Sequence, residues 1–175
     1  MLPYVATVNI EFKSSRQANK VRERVVEWLR EAKMEARAVD DVKSFWNFTV
    51  NGPSSIPITV AQLRETPSQI MLLVRLNVQD RDRDFLRAIS GHALEALATE
   101  IELRVLGYGT LLYKIDEPPV FQITIRTAVC LDGLTQESFM SRLVTIGSAI
   151  YSVMLMIERE VNDAARQSPD SDPVN

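Results

Sequence analysis

The sequence predicts an α+β fold in which helices pack on an antiparallel sheet. Apolar residues alternate in five short segments and recur at three- and four-residue steps in three longer ones. The predicted order is helix-strand-strand-strand-helix-strand-strand-helix, and its short connections favour antiparallel pairing with helices covering one face. A chain of 175 residues has the length of one domain. We expect an N-terminal extension at 1–15, a single α+β domain at 16–164 and a disordered tail at 165–175.

The N-terminal region predicts an extended segment followed by a helix. Residues 4–12 alternate between apolar and other side chains, which is typical of a short strand or of an extension docked on the fold. Ser14 or Ser15 offers an N-cap for a helix from Arg16 to about Ala36. The apolar face of that helix has three- and four-residue spacing and consists of Val21, Val25, Trp28 and Leu29.

Three strands are predicted next. The first covers Phe45 to Val50, a turn follows at Asn51-Gly52-Pro53, and the second covers Ile56 to Val60. The third, Ile70 to Val78, is apolar on both sides, which favours a central and buried position in the sheet.

The second half predicts a helix, a hairpin and a long helix. Asp80 is expected to cap a helix that ends near Gly107, with an apolar line of Phe85, Ile89, Ala93, Leu97, Ile101 and Val105. Hairpin strands are expected at 111–115 and 121–129, with a turn at 117–119. Thr135 is the expected N-cap of a helix to about Ala164. Its predicted core line is Phe139, Leu143, Ile146, Ile150, Val153, Ile157 and Val161.

The last helix carries more apolar surface than one sheet requires. A helix on a sheet needs an apolar stripe roughly 100° wide, yet apolar residues also lie off its core line, at Val144, Ala149, Tyr151, Met154, Leu155 and Met156. One interpretation is deep burial between the sheet and another helix. The other is an interface with a second copy or a partner, where Met and Tyr provide adaptable contact area. Our hypothesis is a homodimer that uses this helix.

Residues with catalytic potential are few and isolated. The single histidine, His92, has no metal or nucleophile partner nearby in the sequence, and Cys130 has no neighbouring histidine. The alternating Asp80, Asp82 and Asp84 are interleaved with arginines and lack the spacing of a calcium loop. Gly107-Tyr108-Gly109 follows a helix, whereas a phosphate loop precedes one. We expect no catalytic, cofactor or metal site.

Charge and cysteine content narrow the classes of partner and the compartment. A net charge of −3 with scattered basic residues argues against nucleic acid. The N-terminus has no secretory pattern, and the most apolar stretch, Val144 to Ile157, is short for a bilayer span. One cysteine excludes an intramolecular disulfide. We therefore expect a cytoplasmic protein with no nucleic-acid or membrane partner.

Three segments and the element order carry a resemblance to a known family. They are VVEWLREAKMEARAV, FWNFTVNG with IPITVAQL, and LTQESFMSRLVTIGSAI. They resemble an uncharacterised archaeal family with a type III secretion chaperone-like fold, over about residues 16–163. The resemblance implies a small acidic dimer that holds an extended segment of a client against apolar sheet and helix surfaces.

The leading functional hypothesis is a non-enzymatic, chaperone-like homodimer that binds an extended protein or peptide client. The candidate partner-binding residues are Trp46 and Phe48 on the first strand and Tyr151, Met154 and Leu155 on the last helix. A structural subunit of a larger complex is the first alternative. A small enzyme of unknown reaction is the second, and it requires a pocket in which Asp, Glu or Arg side chains converge.

Overall fold

The structure, a computed structural model, describes residues 4–51, 56–109, 112–116 and 122–167, with side chains at 15–51, 56–109 and 122–166. Four helices and six strands lie in these ranges. In chain order they are α1 Tyr4–Glu31, β1 Ala36–Ala38, β2 Ser44–Asn51, β3 Pro57–Leu63, β4 Gln69–Asn77, α2 Asp80–Ala88, α3 Gly91–Leu106, β5 Leu112–Asp116, β6 Gln122–Cys130 and α4 Gln136–Gln167.

The strands form one sheet in the order β1-β2-β3-β4-β6-β5. Strand β2 pairs antiparallel with both β1 and β3, and β5 pairs antiparallel with β6. The predicted α+β fold, an antiparallel sheet with helices packed on it, is confirmed.

The chain divides into two compact units. Unit 1 contains Met1–Leu73 and Thr127–Val144, and unit 2 contains Val74–Arg126 and Thr145–Asn175. The division falls within β4, β6 and α4, so these elements contribute residues to both. The predicted domain bounds at 16 and 164 stay predictions.

The strand predicted at residues 4–12 is wrong, because α1 begins at Tyr4 and runs through the two serines proposed as N-caps. The alternating pattern also fits a helix, since Val5, Val8 and Phe12 have three- and four-residue spacing. No glycine or proline separates this segment from the predicted helix, so nothing in the sequence stops helical hydrogen bonding.

Helix α1 ends at Glu31, five residues before the predicted end. The chain reverses at Lys33, whose φ of 56° lies in the left-handed region. The Lys33 amide donates to the Arg30 carbonyl and the Met34 amide to the Leu29 carbonyl, both at 2.9 Å. This pair of bonds is a Schellman motif, which satisfies the last carbonyls of a helix. Glycine usually occupies the left-handed position that follows a helix, so the lysine at this position did not indicate the end of α1 in the sequence.

The three strands predicted between residues 45 and 78 are confirmed as β2, β3 and β4. One side of each strand is buried in unit 1, and for β2 this side consists of Ser44, Trp46, Phe48 and Val50. The start of α4 contacts α1 in the same unit, where the rings of Trp28 and Phe139 lie 5.9 Å apart.

The single helix predicted from Asp80 to Gly107 is wrong, because the chain forms two helices, α2 and α3. Helix α2 ends at Ala88, and the next residue, Ile89, is extended with a ψ of 144°. Ser90 then caps α3 by accepting a hydrogen bond from the Ala93 amide. Asp80 is the first residue of α2 and not its cap, since Gln79 holds the cap position. The break shifts the buried position from the predicted Phe85 to Leu86.

The hairpin and the last helix follow the prediction closely. Strands β5 and β6 pair with Ile115 opposite Ile123, while the predicted turn at 117–119 lies outside the described residues. Thr135 caps α4 as expected: the Ser138 amide donates to the Thr135 hydroxyl, and the Ser138 hydroxyl accepts from the Thr135 amide. The helix continues to Gln167, and the rest of the predicted tail lies outside the described residues. All seven predicted core residues of α4 are buried.

By length and composition alone, α4 could cross a membrane, and it is longer than the apolar stretch considered in the sequence. Core helices of soluble proteins pass the same test, and 44% of its most apolar window is buried within the chain. The absence of a membrane partner therefore stays a prediction.

Candidate functional site

The side chains with catalytic potential remain scattered in the structure. His92 and Cys130 are exposed. Within the described residues, no group of three or more His, Cys, Asp and Glu side chains could hold a metal ion.

Unit 2 contains a shallow, open pocket of about 410 Å³ on one face of α3, lined by Glu100, Leu103, Arg104, Gly107 and Tyr108. The carboxylate of Glu100 and the phenol of Tyr108 both contact side chains of α4. Glu100 forms a 3.0 Å ion pair with Arg159, and the Tyr108 hydroxyl lies 2.7 Å from the Ser152 hydroxyl. Hydrogen bonds from Arg159 to Glu160 and Glu100 raise the pKa of this guanidinium, so it stays charged. These contacts hold α3 and α4 side by side and do not leave an acid and a base converging on open space.

Two of the predicted partner-binding residues, Trp46 and Phe48, lie in the core of unit 1. They are only 6% and 4% exposed, and their rings are 5.5 Å apart. The Trp46 indole donates a 2.9 Å hydrogen bond to Gln62 Oε1, and Gln62 donates in turn to the Pro67 carbonyl. A buried indole needs such a partner, and these contacts assign both side chains to packing within the chain.

The apolar residues off the core line of α4 divide between the two interpretations. Ala149 and Met156 are buried, so deep burial accounts for them, and Met154 is half-buried. Val144, Tyr151 and Leu155 are 52%, 46% and 45% exposed. An interface remains the explanation for these three.

The exposed apolar residues of α4 share one side of the helix. Together with the half-buried Ser148 they form what we call the α4 stripe, Val144, Ser148, Tyr151 and Leu155. Steps of four, three and four residues keep side chains on one helix face, as in a coiled-coil seam. Glu137 and Glu158 lie on the same side, so the stripe is an apolar centre with charged ends.

Helix α3 adds two exposed leucines to unit 2 that the sequence analysis missed. Leu103 and Leu106 are 65% and 50% exposed. The contacts from Glu100 to Arg159 and from Tyr108 to Ser152 show that α3 and α4 run antiparallel here, which brings Leu103 level with Leu155. Both leucines lie off the apolar line predicted for that helix, and the test applied to the last helix could have found them.

The side of the sheet opposite the buried one carries a second candidate surface in unit 1. We call it the open sheet face and define it by its half-buried residues, Phe45, Asn47, Thr49, Thr59, Leu63, Met71 and Leu73. Thr49 lies opposite Thr59, and Asn47 lies opposite Ala61. None of the seven residues is charged.

Charges lie around the open sheet face and not within it. The Arg64 guanidinium stacks over the Phe45 ring at 5.0 Å. On the edge strand β1, Arg37 lies opposite Thr49 and pairs with Glu35 at 3.5 Å. The surface therefore has an uncharged centre with arginines at its rim. Its aromatic residue, Phe45, begins the predicted strand but belongs to the side that its pattern assigns to solvent.

The loop that leads into β2 is fixed by Asp41. Its carboxylate accepts hydrogen bonds from the Ser44 hydroxyl and the Lys43 amide. The hydrogen bond from the Ser44 hydroxyl has the largest effect, and the one from the Lys43 amide the next largest. Both stabilise the charged carboxylate and hold the pKa of Asp41 below its usual value. This loop also exposes Val42, which is 90% accessible to solvent.

Three solved structures are similar to this chain. A crystal structure of an uncharacterized protein from Methanothermobacter thermautotrophicus matches with a TM-score of 0.74 and 20% identity, over 80% of this chain and 98% of that one. YbjN from E. coli matches with a TM-score of 0.49 and 12% identity, over 79% and 90% of the two chains. The Yersinia pestis type III secretion chaperone SycH, solved in complex with a stable fragment of YscM2, matches with a TM-score of 0.41 and 12% identity, over 74% and 93%.

The sequence comparisons narrow the family. None of the curated proteins matches the chain. A family model covers residues 21–157, most of the sequence. The chain therefore belongs to the family described as uncharacterized conserved protein DUF2299, and the predicted resemblance is confirmed.

Proposed function

We propose that this protein is a non-enzymatic, cytoplasmic binding module that works as a homodimer and holds an extended polypeptide on its open sheet face. The observation that supports the proposal is the lack of charge across β2, β3 and the first part of β4 on that face. The solvated side of an antiparallel sheet is normally polar. The cores of protein interfaces, in contrast, are depleted of charged residues.

The composition of this face favours one kind of client. Phe45, Met71 and Leu73 provide apolar contact area, while Thr49 and Thr59 provide neutral hydrogen-bonding groups. The strands are already paired with one another, so a client contacts the face through its side chains. At the rim, Arg64 attracts negative charge, whereas the charge of Arg37 is partly compensated by Glu35. The expected client is an extended segment with apolar and neutral side chains and acidic residues at its ends.

Labelled peptides test this directly. We expect a peptide of that composition to bind with higher affinity than a peptide of the same apolar sequence with basic ends, as measured by fluorescence anisotropy. High salt should reduce the difference, because rim charges are screened.

A matched pair of variants locates the contact. Thr59→Glu places a carboxylate in the centre of the open sheet face and should weaken binding about tenfold or more, because an apolar ligand cannot solvate it. Thr99→Glu makes the same change at an exposed position of α3, which is not part of this face, and should leave binding unchanged. Urea unfolding of both variants checks that they are folded. An equal loss of peptide affinity in the two variants would contradict the proposal, and so would a failure of the original protein to bind any of the peptides.

A further inference from the structure

The α4 stripe is complementary to a second copy of itself. We propose that α4 packs antiparallel against α4 of another copy, about a twofold axis that lies between Ala149 and Ile150. Exposed apolar side chains on an otherwise charged helix surface mark an interaction site. The observation that selects a second copy as the occupant is the order of residue sizes along the stripe.

An antiparallel arrangement about that axis pairs each larger side chain with a smaller one. Tyr151 of each copy lies over Ser148 of the other, and Leu155 lies over Val144. Such alternation allows side chains of two helices to interdigitate at the usual interaxial distance of about 8–10 Å. A parallel arrangement places Tyr151 against Tyr151 and Ser148 against Ser148, which combines a clash with a gap.

Charge at the ends of the stripe also favours the antiparallel arrangement. Glu137 near the start of α4 lies opposite Asn162 of the second copy, one helical turn from both its Arg166 and its Glu158, whereas a parallel arrangement places Glu137 directly against Glu137. Both Glu137 and Arg166 are exposed. Ser141 similarly lies opposite Glu158 of the second copy.

Helix α3 widens this surface in unit 2. Leu103 is 65% exposed and lies about level with Leu155 along the two helices, so a second copy that extends from α4 onto α3 would contact this leucine. The Glu100–Arg159 ion pair lies beyond both leucines along the helices and adds charge at that end.

This inference deepens the homodimer part of the proposed function. Peptide binding on the open sheet face uses different residues, so experiments can contradict the α4 dimer without contradicting peptide binding, and the reverse. Variants of the α4 stripe should change the oligomeric state and leave the affinity for the acidic-ended peptide unchanged per chain.

A size-swap experiment tests the register. By analytical ultracentrifugation, Ser148→Tyr should raise the dimer dissociation constant about tenfold or more, since two tyrosines then compete for one site. Tyr151→Ser should raise it by a similar factor through lost contact area. The double variant Ser148→Tyr with Tyr151→Ser recreates the large-to-small pairs, and its dissociation constant should return to within about threefold of the original protein. Independent effects would instead multiply to about a hundredfold.

Cross-linking tests the geometry without weakening the interface. In a Cys130→Ser background, a mixture of Val144→Cys and Leu155→Cys chains should be joined by a short thiol-specific linker. Two chains that both carry Val144→Cys should not be joined by this linker, because the two equivalent positions are about 16 Å apart along the antiparallel helices.

The outcomes separate the proposal from its rivals. Dimers that the double variant restores, with mixed cross-links between positions 144 and 155, support it. A monomer at every concentration overturns it, including a monomer that binds zwitterionic lipid vesicles through α4, and so does efficient cross-linking of Val144→Cys to itself. Retained peptide binding by such a monomer would leave the sheet-face proposal standing.

Discussion

Both sides of the sheet in unit 1 carry aromatic and apolar residues, but one side is buried in the core and the other is half-buried. On β2 the buried side presents Trp46 and Phe48, whereas the open side presents Phe45. The indole on the buried side has a hydrogen-bond partner, but on the open side the Asn47 Oδ1 atom is buried without one among the described residues. The difference teaches that apolar alternation identifies the core side of a strand but does not reveal an uncharged, half-buried surface on the other side.

Truncating an aromatic ring on each side is the strongest test of this comparison. Phe48→Ala should lower the free energy of unfolding by about 4 kcal/mol, because a fully packed ring is removed and a cavity remains. Phe45→Ala, the same change three residues away, should cost about 1 kcal/mol, because the ring is already partly hydrated. Urea unfolding measures both. Equal losses would mean that the open sheet face is a second core.

Polar atoms on the two sides provide a smaller contrast. Trp46→Phe removes the donor to Gln62 Oε1 and leaves a buried acceptor unpaired, so we expect a loss of about 2 kcal/mol. Asn47→Ala removes an acceptor that has no partner among the described residues and should change stability by less than about 0.5 kcal/mol. A large loss for Asn47→Ala would show that its amide is engaged in the folded protein.

The smallest expected effect concerns the loop that sets the start of β2. The folded pKa of Asp41 is lowered, so its carboxylate contributes stability above its unfolded pKa, and that contribution disappears as pH falls through the folded value. Asp41→Asn should therefore be slightly less stable than the original protein near neutral pH and equal to it in strong acid. Urea midpoints across this pH range measure the difference. A difference that persists in acid would show that the charge of Asp41 is not its cause.

Elements with strong local signals were predicted well. Thr135 and the heptad-like spacing behind it predicted the start of α4 and its entire buried line, because capping and helical periodicity agree there. The β5–β6 hairpin and the three central strands were predicted because their apolar residues alternate and turn residues lie between them.

The errors occur where local patterns are ambiguous or where tertiary context overrides them. Ile89 continued the apolar line of the predicted helix, which concealed the break before Ser90. Lys33 adopts a conformation that usually marks glycine, so the end of α1 and the existence of β1 were not visible.

The candidate sites were predicted only in part, for a similar reason. Tyr151 and Leu155 are exposed as an interface requires, whereas Trp46 and Phe48 are not. The apolar periodicity of an element predicts its buried side, but it does not tell which apolar residues outside that side are covered by neighbouring elements. The open sheet face was missed because its residues lie between those assigned to the core.

The interleaving of the two units along the chain has a consequence for biosynthesis. Unit 1 takes its last segment from Thr127–Val144, after the chain has passed through Val74–Arg126 of unit 2, and unit 2 is completed by the residues from Thr145 onward. A nascent chain therefore lacks part of each unit until Thr127–Val144 and the residues after them have been translated. A chain released before that point leaves neither unit complete.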